Sequence, residues 1–319
     1  MRSRASPTLV ALVVALVGLV GLVSSRLGDT PPPRDLVGPS LETLAFEEVS
    51  FRNERDRLDL AGMLFLPSQA GPRPATVLIH GSGESRRDNR WYLTLVEHLR
   101  RTGTIVLLPD KRGSERSEGE WRTASFEALA RDTVAAIEFL RARPDTAISV
   151  LGVIGLSQGG QIAPIVGSEP RRVDFVINVV GSALPFHDAL VHEERSNIER
   201  LGLPSLVAGA IAPLSALHLR KVRQRTFWDA VGNFDPRPYW ARTEVPSLAL
   251  FGENDPNTPS RVSAENLLAL ANPRIEVQVY AGSGHALEDP PGTGNAYIRA
   301  EALERIETFV AAVETREGG

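Results

Sequence analysis

Hydrophobic positions along the chain follow two rhythms, a period of two and a period near 3.6. Phe46-Glu-Glu-Val-Ser-Phe51 alternates apolar with polar, as does Leu58-Asp-Leu-Ala-Gly-Met-Leu-Phe-Leu66 before Pro67. The two stretches predict a paired antiparallel hairpin. Short apolar-rich runs follow at Ala75–Ile79, Thr104–Leu108, Val150–Ile154, Val173–Val180, Val245–Phe251 and Ile275–Tyr280. Runs of this length, rich in β-branched residues, suit strands covered on both faces. Between them the helical period takes over. Arg90–Arg101 places Trp91, Leu95, Val96 and Leu99 on one face, and Gly103 closes it. Ser125–Arg143 does the same with Leu129, Val134, Ile137 and Leu140, and a last amphipathic helix is expected from about Asn295 to Glu314. Strands alternating with helices predict an α/β fold, a mostly parallel central sheet with helices on both faces.

The rhythm breaks twice. From about 186 to 240 the strand signal vanishes and helical strings run roughly over 187–201, 205–220 and 222–231. An all-helical insertion of that length, between two late strands, exceeds what a crossover of about a dozen residues needs and reads as a cap. The other break is at the start. Arg2 and Arg4 precede an apolar run, Leu9–Val23, and the segment 1–25 is expected to be a signal peptide or an N-terminal membrane anchor. Fifteen helical residues reach about 22 Å, short of a hydrocarbon core of about 30 Å, so both readings stay open. Residues 26–43, with Pro31-Pro-Pro33, form a Pro-rich linker, and 44–319 is the globular body. This organisation predicts an exported protein, extracytoplasmic, secreted or anchored, whose N-terminal segment is a candidate for membrane contact.

Composition narrows the chemistry. Thirty-five Lys and Arg against 39 Asp and Glu leave a net charge of −4, with no basic excess of the kind a phosphate backbone requires. The clusters at Arg86-Arg87 and Arg220–Arg225 are short enough for solvated helix faces. Cysteine is absent, which removes disulfides, thiol nucleophiles and Cys-ligated metals. Six scattered histidines show no zinc spacing, and neither a P-loop nor a G-x-G-x-x-G follows any strand, so no metal and no cofactor is expected.

One stretch carries reactive chemistry. The strand Val150–Ile154 leads into Gly155-Leu-Ser-Gln-Gly159, and helical character resumes from about Gly160. In a G-x-S-x-G turn between strand and helix, Gly155 and Gly159 are needed because a Cβ at either place would strike the neighbouring strand or helix. Ser157 is thereby forced into a strained conformation that presents its hydroxyl above the sheet edge. The helix behind it aims free backbone N–H groups at the same point.

Taken with His80-Gly-Ser-Gly83, Asp110-Lys-Arg-Gly113, Phe251-Gly-Glu-Asn-Asp-Pro256 and Ala281-Gly-Ser-Gly-His-Ala286, this motif resembles the α/β-hydrolase superfamily, and within it the capped serine esterases. The likeness covers residues from about 45 to 315. It implies an α/β-hydrolase fold and the triad order Ser, acid, His, each after a strand. Ser157 is then the nucleophile and His285, in the glycine-rich loop after the last strand, the base. The acid lies in the loop after Val245–Phe251, where Asp255 matches the family spacing and Glu253 is its competitor. The resemblance also implies an oxyanion hole from the backbone N–H groups of Gln158 and Ser82. His80 is expected to brace its own turn, Asp110 and Arg112 to form a loop ion pair, and Glu193 and Glu194 to be solvated cap carboxylates. Trp228, Phe234, Tyr239 and Trp240 are either lining for an acyl pocket or packing between cap and core. The expected activity is hydrolysis of small-molecule carboxylic esters, or thioesters, through an acyl-serine. A serine peptidase of the same fold and a non-catalytic ligand-binding member are the alternatives; oligomeric state is left open.

Overall fold

The computed structural model describes residues 35–317; the expected export or anchor segment and the linker up to residue 34 lie outside the described residues. The two alternating stretches form β1 (Glu47–Asn53) and β2 (Leu58–Phe65), paired antiparallel with Phe51 opposite Leu60. Then come β3 (Arg73–Ile79), α1 (Arg90–Arg101), β4 (Ile105–Pro109), α2 (Phe126–Ala142), β5 (Ile148–Leu156), α3 (Gln158–Gly167) and β6 (Phe175–Val179). Four helices follow: α4 (Phe186–Arg200), α5 (Ser205–His218), α6 (Arg225–Val231) and α7 (Arg237–Arg242), with a π-helical turn at Leu219–Arg223. The sheet resumes with β7 (Ser247–Gly252), α8 (Ser260–Ala269) and β8 (Ile275–Tyr280), and α9 (Ala300–Glu317) ends the described chain.

Among the described residues the strands form one eight-stranded sheet in the order β1-β2-β4-β3-β5-β6-β7-β8. Only β1–β2 and β2–β4 are antiparallel; the other neighbours run parallel. The chain moves from β3 outward to β4, then back across to β5. The carboxyl ends of β3 and β5 therefore diverge into a crevice, the usual place for a ligand in an open α/β sheet.

Strand alternation divides the core into two layers. Along β5, Leu151 and Val153 face α2 and α3, whereas Val150, Ile154 and Leu156 face α1 and α9. Every one of these five side chains is buried, which is why β5 reads as an unbroken apolar run. Burial of each such side chain stabilises the fold by about 1.5–3 kcal/mol. Helix starts follow the sequence signals: Asn89 Oδ1 accepts from the Trp91 N–H at 3.1 Å, and Ser125 Oγ accepts from the Ala128 N–H at 3.2 Å.

The last helix begins five residues later than its pattern predicts, at Ala300 rather than Asn295. The intervening backbone has other partners. The Val37 N–H donates to Asn295 O at 2.7 Å, the Tyr297 N–H donates to Val37 O at 3.3 Å, and the Asp289 carboxylate accepts from the Ala296 N–H at 3.0 Å. These bonds hold 295–297 extended beside residue 37.

Candidate active site

Ser157 sits between β5 and α3 with φ 55° and ψ −121°, a region L-residues rarely adopt. Holding it there costs on the order of 1–3 kcal/mol, which the surrounding contacts must offset. The reason the turn is so tight is visible at the two glycines. A Cβ on Gly155 would lie 2.1 Å from Gly159 O, and one on Gly159 would lie 2.1 Å from Ile79 O on β3. The Ser157 N–H donates to Val179 O at 2.8 Å, fixing the elbow to β6.

His285 approaches from the loop after β8. Its Nε2 lies 2.9 Å from Ser157 Oγ, and its Nδ1 lies 2.9 and 2.8 Å from the two carboxylate oxygens of Asp255. Asp255 follows β7, is buried, and also accepts from the Asn257 and Thr258 N–H groups at 2.8 and 2.9 Å. Glu253 points elsewhere: its carboxylate accepts from the Gly282 N–H at 3.2 Å. The structure thus brings Ser157, Asp255 and His285 together and leaves Glu253 bracing the histidine loop. Trp91 supports that loop too, donating from Nε1 to Ala286 O at 3.0 Å with its ring 5.7 Å from the imidazole. Burial works against a charged His285 ring, but the Asp255 charge and hydrogen bond outweigh it. Glu193 and Glu288 reinforce Asp255, and the pKa is raised above 6.5.

The loop after β3 is held from three sides. The Gly81 N–H donates to Tyr92 Oη at 2.7 Å, while Lys111 Nζ donates to Gly81 O at 2.5 Å and to Gly83 O at 3.0 Å. Lys111 also reaches the Gln158 side-chain oxygen at 3.3 Å. The peptide of Ser82 is therefore fixed from both neighbours, and one ammonium links it to Gln158 at the first turn of α3. Desolvation pulls the buried Lys111 down to about 7. His80 braces the turn, with Nε2 2.8 Å from Pro109 O; burial, then the nearby Lys111 charge, lower its pKa to about 3, so it stays neutral.

Ser82, Ser157, Gln158 and His285 open on a cavity of about 90 Å³ whose roof is the cap, through Phe186, Leu190, Glu193 and Trp228. A larger cavity of about 610 Å³ lies beyond and shares Ser82, Phe186, Leu190, Glu193 and Trp228 with the first. Of the four cap aromatics only Trp228 lines this space, stacked on Phe186 at 4.8 Å. Phe234 and Tyr239 stack on each other above Phe126, and Trp240 is fully buried beneath the cap.

Three expectations are overturned. Asp110 and Arg112 do not pair: Asp110 takes Arg87 in a two-pronged bond at 2.9 and 2.7 Å, and Arg112 bridges Asp56 and Asp132. Two positions apart in one bend, their side chains reach different partners, Asp110 the Arg87 guanidinium and Arg112 the two carboxylates. Arg87 is accordingly no solvated cation, its side chain being 12% exposed. Nor are the cap carboxylates solvated. Glu194 is buried against Ser215 and Asn197, and Glu193 lines both cavities. Burial raises both pKa values, with Ser215 opposing at Glu194 and His285 opposing at Glu193.

A family match covers residues 134–298, more than half of the 319-residue chain. The chain belongs to the BAAT / Acyl-CoA thioester hydrolase C-terminal family. The BAAT C-terminal match encloses the elbow, the cap helices, the Asp255 loop and the His285 loop; the 80–83 loop lies outside it. The chain is 28% identical over 211 residues to the esterase EstD of Thermotoga maritima, across 61% of this chain and 50% of that protein. It therefore spans about half the length of that relative. Among solved structures, the esterase Pf2001 of Pyrococcus furiosus superposes with TM-score 0.63 at 18% identity, covering 89% of this chain and 99% of the other. The α/β hydrolase GrgF of Penicillium sp. sh18 gives TM-score 0.62 at 18% identity, over 85% and 100%. Both share the α/β-hydrolase fold with this BAAT C-terminal member.

Sequence reasoning missed Lys111 and Asn178. Lys111 follows an apolar buried strand at its carboxyl end, where a lysine must find acceptors inside the protein, and that placement was the available signal. Asn178, fully buried on β6, closes the turn behind the elbow by accepting from the Gly181 N–H at 2.7 Å and donating to Gly181 O at 2.8 Å. No local pattern distinguishes it from an ordinary strand residue.

Proposed function

We propose that the chain is a serine hydrolase of small-molecule carboxylic esters, with thioesters as the related substrate class, acting through an acyl-serine intermediate. The observation that carries this reading is the 2.9 Å separation of Ser157 Oγ and His285 Nε2, with Asp255 on the opposite ring nitrogen. In the proposed reaction Nε2 takes the hydroxyl proton as Oγ attacks the acyl carbonyl carbon. The Nδ1 proton stays with the ring, hydrogen-bonded to Asp255, which stabilises the imidazolium. The negative charge that develops on the carbonyl oxygen is met by the N–H groups of Gln158 and Ser82, each worth about 2.7–4 kcal/mol to the transition state. The imidazolium then returns its proton to the departing alcohol or thiol. A water, deprotonated by the same nitrogen, attacks the acyl carbon, and the proton passes back to Oγ as the acid leaves.

The family description and the esterase name of the Thermotoga relative favour ester and thioester substrates over amides. The basic and apolar N-terminal segment supports export, with the catalytic body outside the cytoplasm. A fluorophosphonate probe tests the mechanism. Labelling of the wild type that disappears in Ser157→Ala is expected; an unlabelled wild type would mean a non-catalytic binder. Short-chain p-nitrophenyl esters run beside aminoacyl anilides test the substrate class, and faster anilide turnover would make the chain a peptidase.

A further inference from the structure

α5 is apolar on every side. Ala208, Ile211 and Ala212 pack inward with Ile198 of α4, as the hydrophobic period requires. The outward side, however, carries Leu206 at 87% exposure, Leu214 at 41% and Leu217 at 48%, with Val207 beside them and Val222 just beyond. No Asp, Glu, Lys or Arg occurs between Ser205 and His218. A water-facing helix normally turns charged residues outward; one apolar all round belongs in a core or in lipid. Several large aliphatic side chains exposed on one face form the kind of patch that marks an interaction site.

The surroundings indicate what covers it. The turn that follows the helix carries Arg220, Lys221, Arg223 and Arg225, with Asp229 paired to Arg225, while on α4 Arg195 pairs with Glu199, in a chain whose net charge is −4. This local excess of cations is complementary to an anionic surface. Fourteen helical residues span about 21 Å, too short to cross a bilayer and suited to lying in its interface. Among the described residues no helix is long and apolar enough to cross a membrane. The first described residues lie on this side of the molecule too. Val37 pairs with Ala296 in the loop after the carboxyl end of β8, and the cap leaves the same sheet edge after β6.

We propose that the outer face of α5, with the basic turn that follows it, docks on the surface of a bilayer containing anionic lipid. The exposed leucines enter the headgroup–acyl boundary, and the cations stay at the phosphates. Docking does not depend on the hydrolase reading, since none of these residues touches Ser157 or its partners.

Because the chain lacks cysteine, one introduced thiol gives a unique probe. Leu206→Cys, Leu214→Cys and, on the opposite sheet edge, Arg141→Cys are labelled with bimane in the full-length chain. Each is then mixed with vesicles of phosphatidylcholine and phosphatidylglycerol in equal parts. A blue shift, with quenching by brominated acyl chains, is expected at 206 and 214 and not at 141, and it should weaken when phosphatidylglycerol is omitted. Labels at 206 and 214 that still report water in vesicle-bound protein would overturn the proposal, as would failure of the chain to associate. A blue shift that appears without vesicles and grows with protein concentration would also overturn it, and would assign the face to a second copy of the chain.

Discussion

Asp255 holds Nδ1 of His285 with both carboxylate oxygens, at 2.9 and 2.8 Å, while the ring's other nitrogen meets Ser157. Burial alone would lower the imidazole pKa, and the carboxylate reverses that sign. A base must be unprotonated to accept the serine proton, so kcat/KM should rise with pH through an inflection above 6.5. In Asp255→Asn the desolvation penalty is no longer countered by Asp255. The inflection should then move to lower pH, while kcat drops by about 10⁴-fold. A pH–rate profile of both proteins checks this, and an inflection unmoved in the variant would assign it to another group.

Lys111 makes a separate prediction. Its ammonium joins the carbonyls of Gly81 and Gly83 to the side chain of Gln158, the two places from which the oxyanion donors are proposed. Lys111→Met keeps the length and removes the donors. Because the loop would serve the transition state rather than the bound ester, kcat should fall roughly 10–100-fold with KM little changed. As pH rises through about 7 the ammonium loses one of its three donor hydrogens. The wild type should therefore lose kcat on the alkaline side, and the variant should lack that limb. Equal losses in kcat and kcat/KM in the wild-type order of substrates are compatible with this; a rise in KM alone is not.

What could be read from the sequence, and what could not, divides by the range of the interactions. The strands and α1 are set by local periodicity, and α1 was legible to the residue at Arg90–Arg101. Gly155 and Gly159 were legible because their contacts are dictated by the turn they occupy. Long-range pairings were not. Whether Arg112 meets Asp110 or Asp56 depends on how a hairpin 56 residues away packs against α2, and the start of α9 depends on residue 37. Choosing between Glu253 and Asp255 from sequence rested on family spacing, since both share one loop and only the fold directs one toward Gly282 and the other toward the ring.

The elbow tolerates no side chain at Gly159, where a Cβ would stand 2.1 Å from Ile79 O and 2.7 Å from Ile79 C, both backbone atoms of a central strand. Gly159→Ala should destabilise the fold by about 3 kcal/mol or more. Gly209→Ala is the contrasting substitution. Gly209 lies inside α5 with nothing within 4 Å of its added Cβ, so alanine there should stabilise the protein by about 0.5–1 kcal/mol. Denaturant titration of the two variants should give shifts of opposite sign.

The ion cluster around Arg112 predicts a stability that depends on pH. Arg112 Nε and Nη2 donate to Asp132 at 2.6 and 2.7 Å, and Nη2 also donates to Asp56 at 2.7 Å. Asp56 is held in addition by Arg131 at 2.9 and 3.0 Å. The Arg112 side chain is 8% exposed and each aspartate 14%, so Arg112→Met leaves Asp132 without its cation and Asp56 with Arg131 alone, and should cost about 3 kcal/mol at neutral pH. For Asp56, burial raises the pKa, but Arg112 and Arg131 outweigh it and leave it below 3.8. Its contribution is thus complete above 3.8 and disappears as pH falls through the lower folded value. In the variant the folded pKa moves upward, because burial then meets only Arg131. The stability gap between wild type and variant should accordingly be widest near neutrality and narrow as pH falls toward and below 3.8. Urea unfolding across that range measures the gap, and one that stays constant with pH would show that the cluster contributes through packing rather than charge.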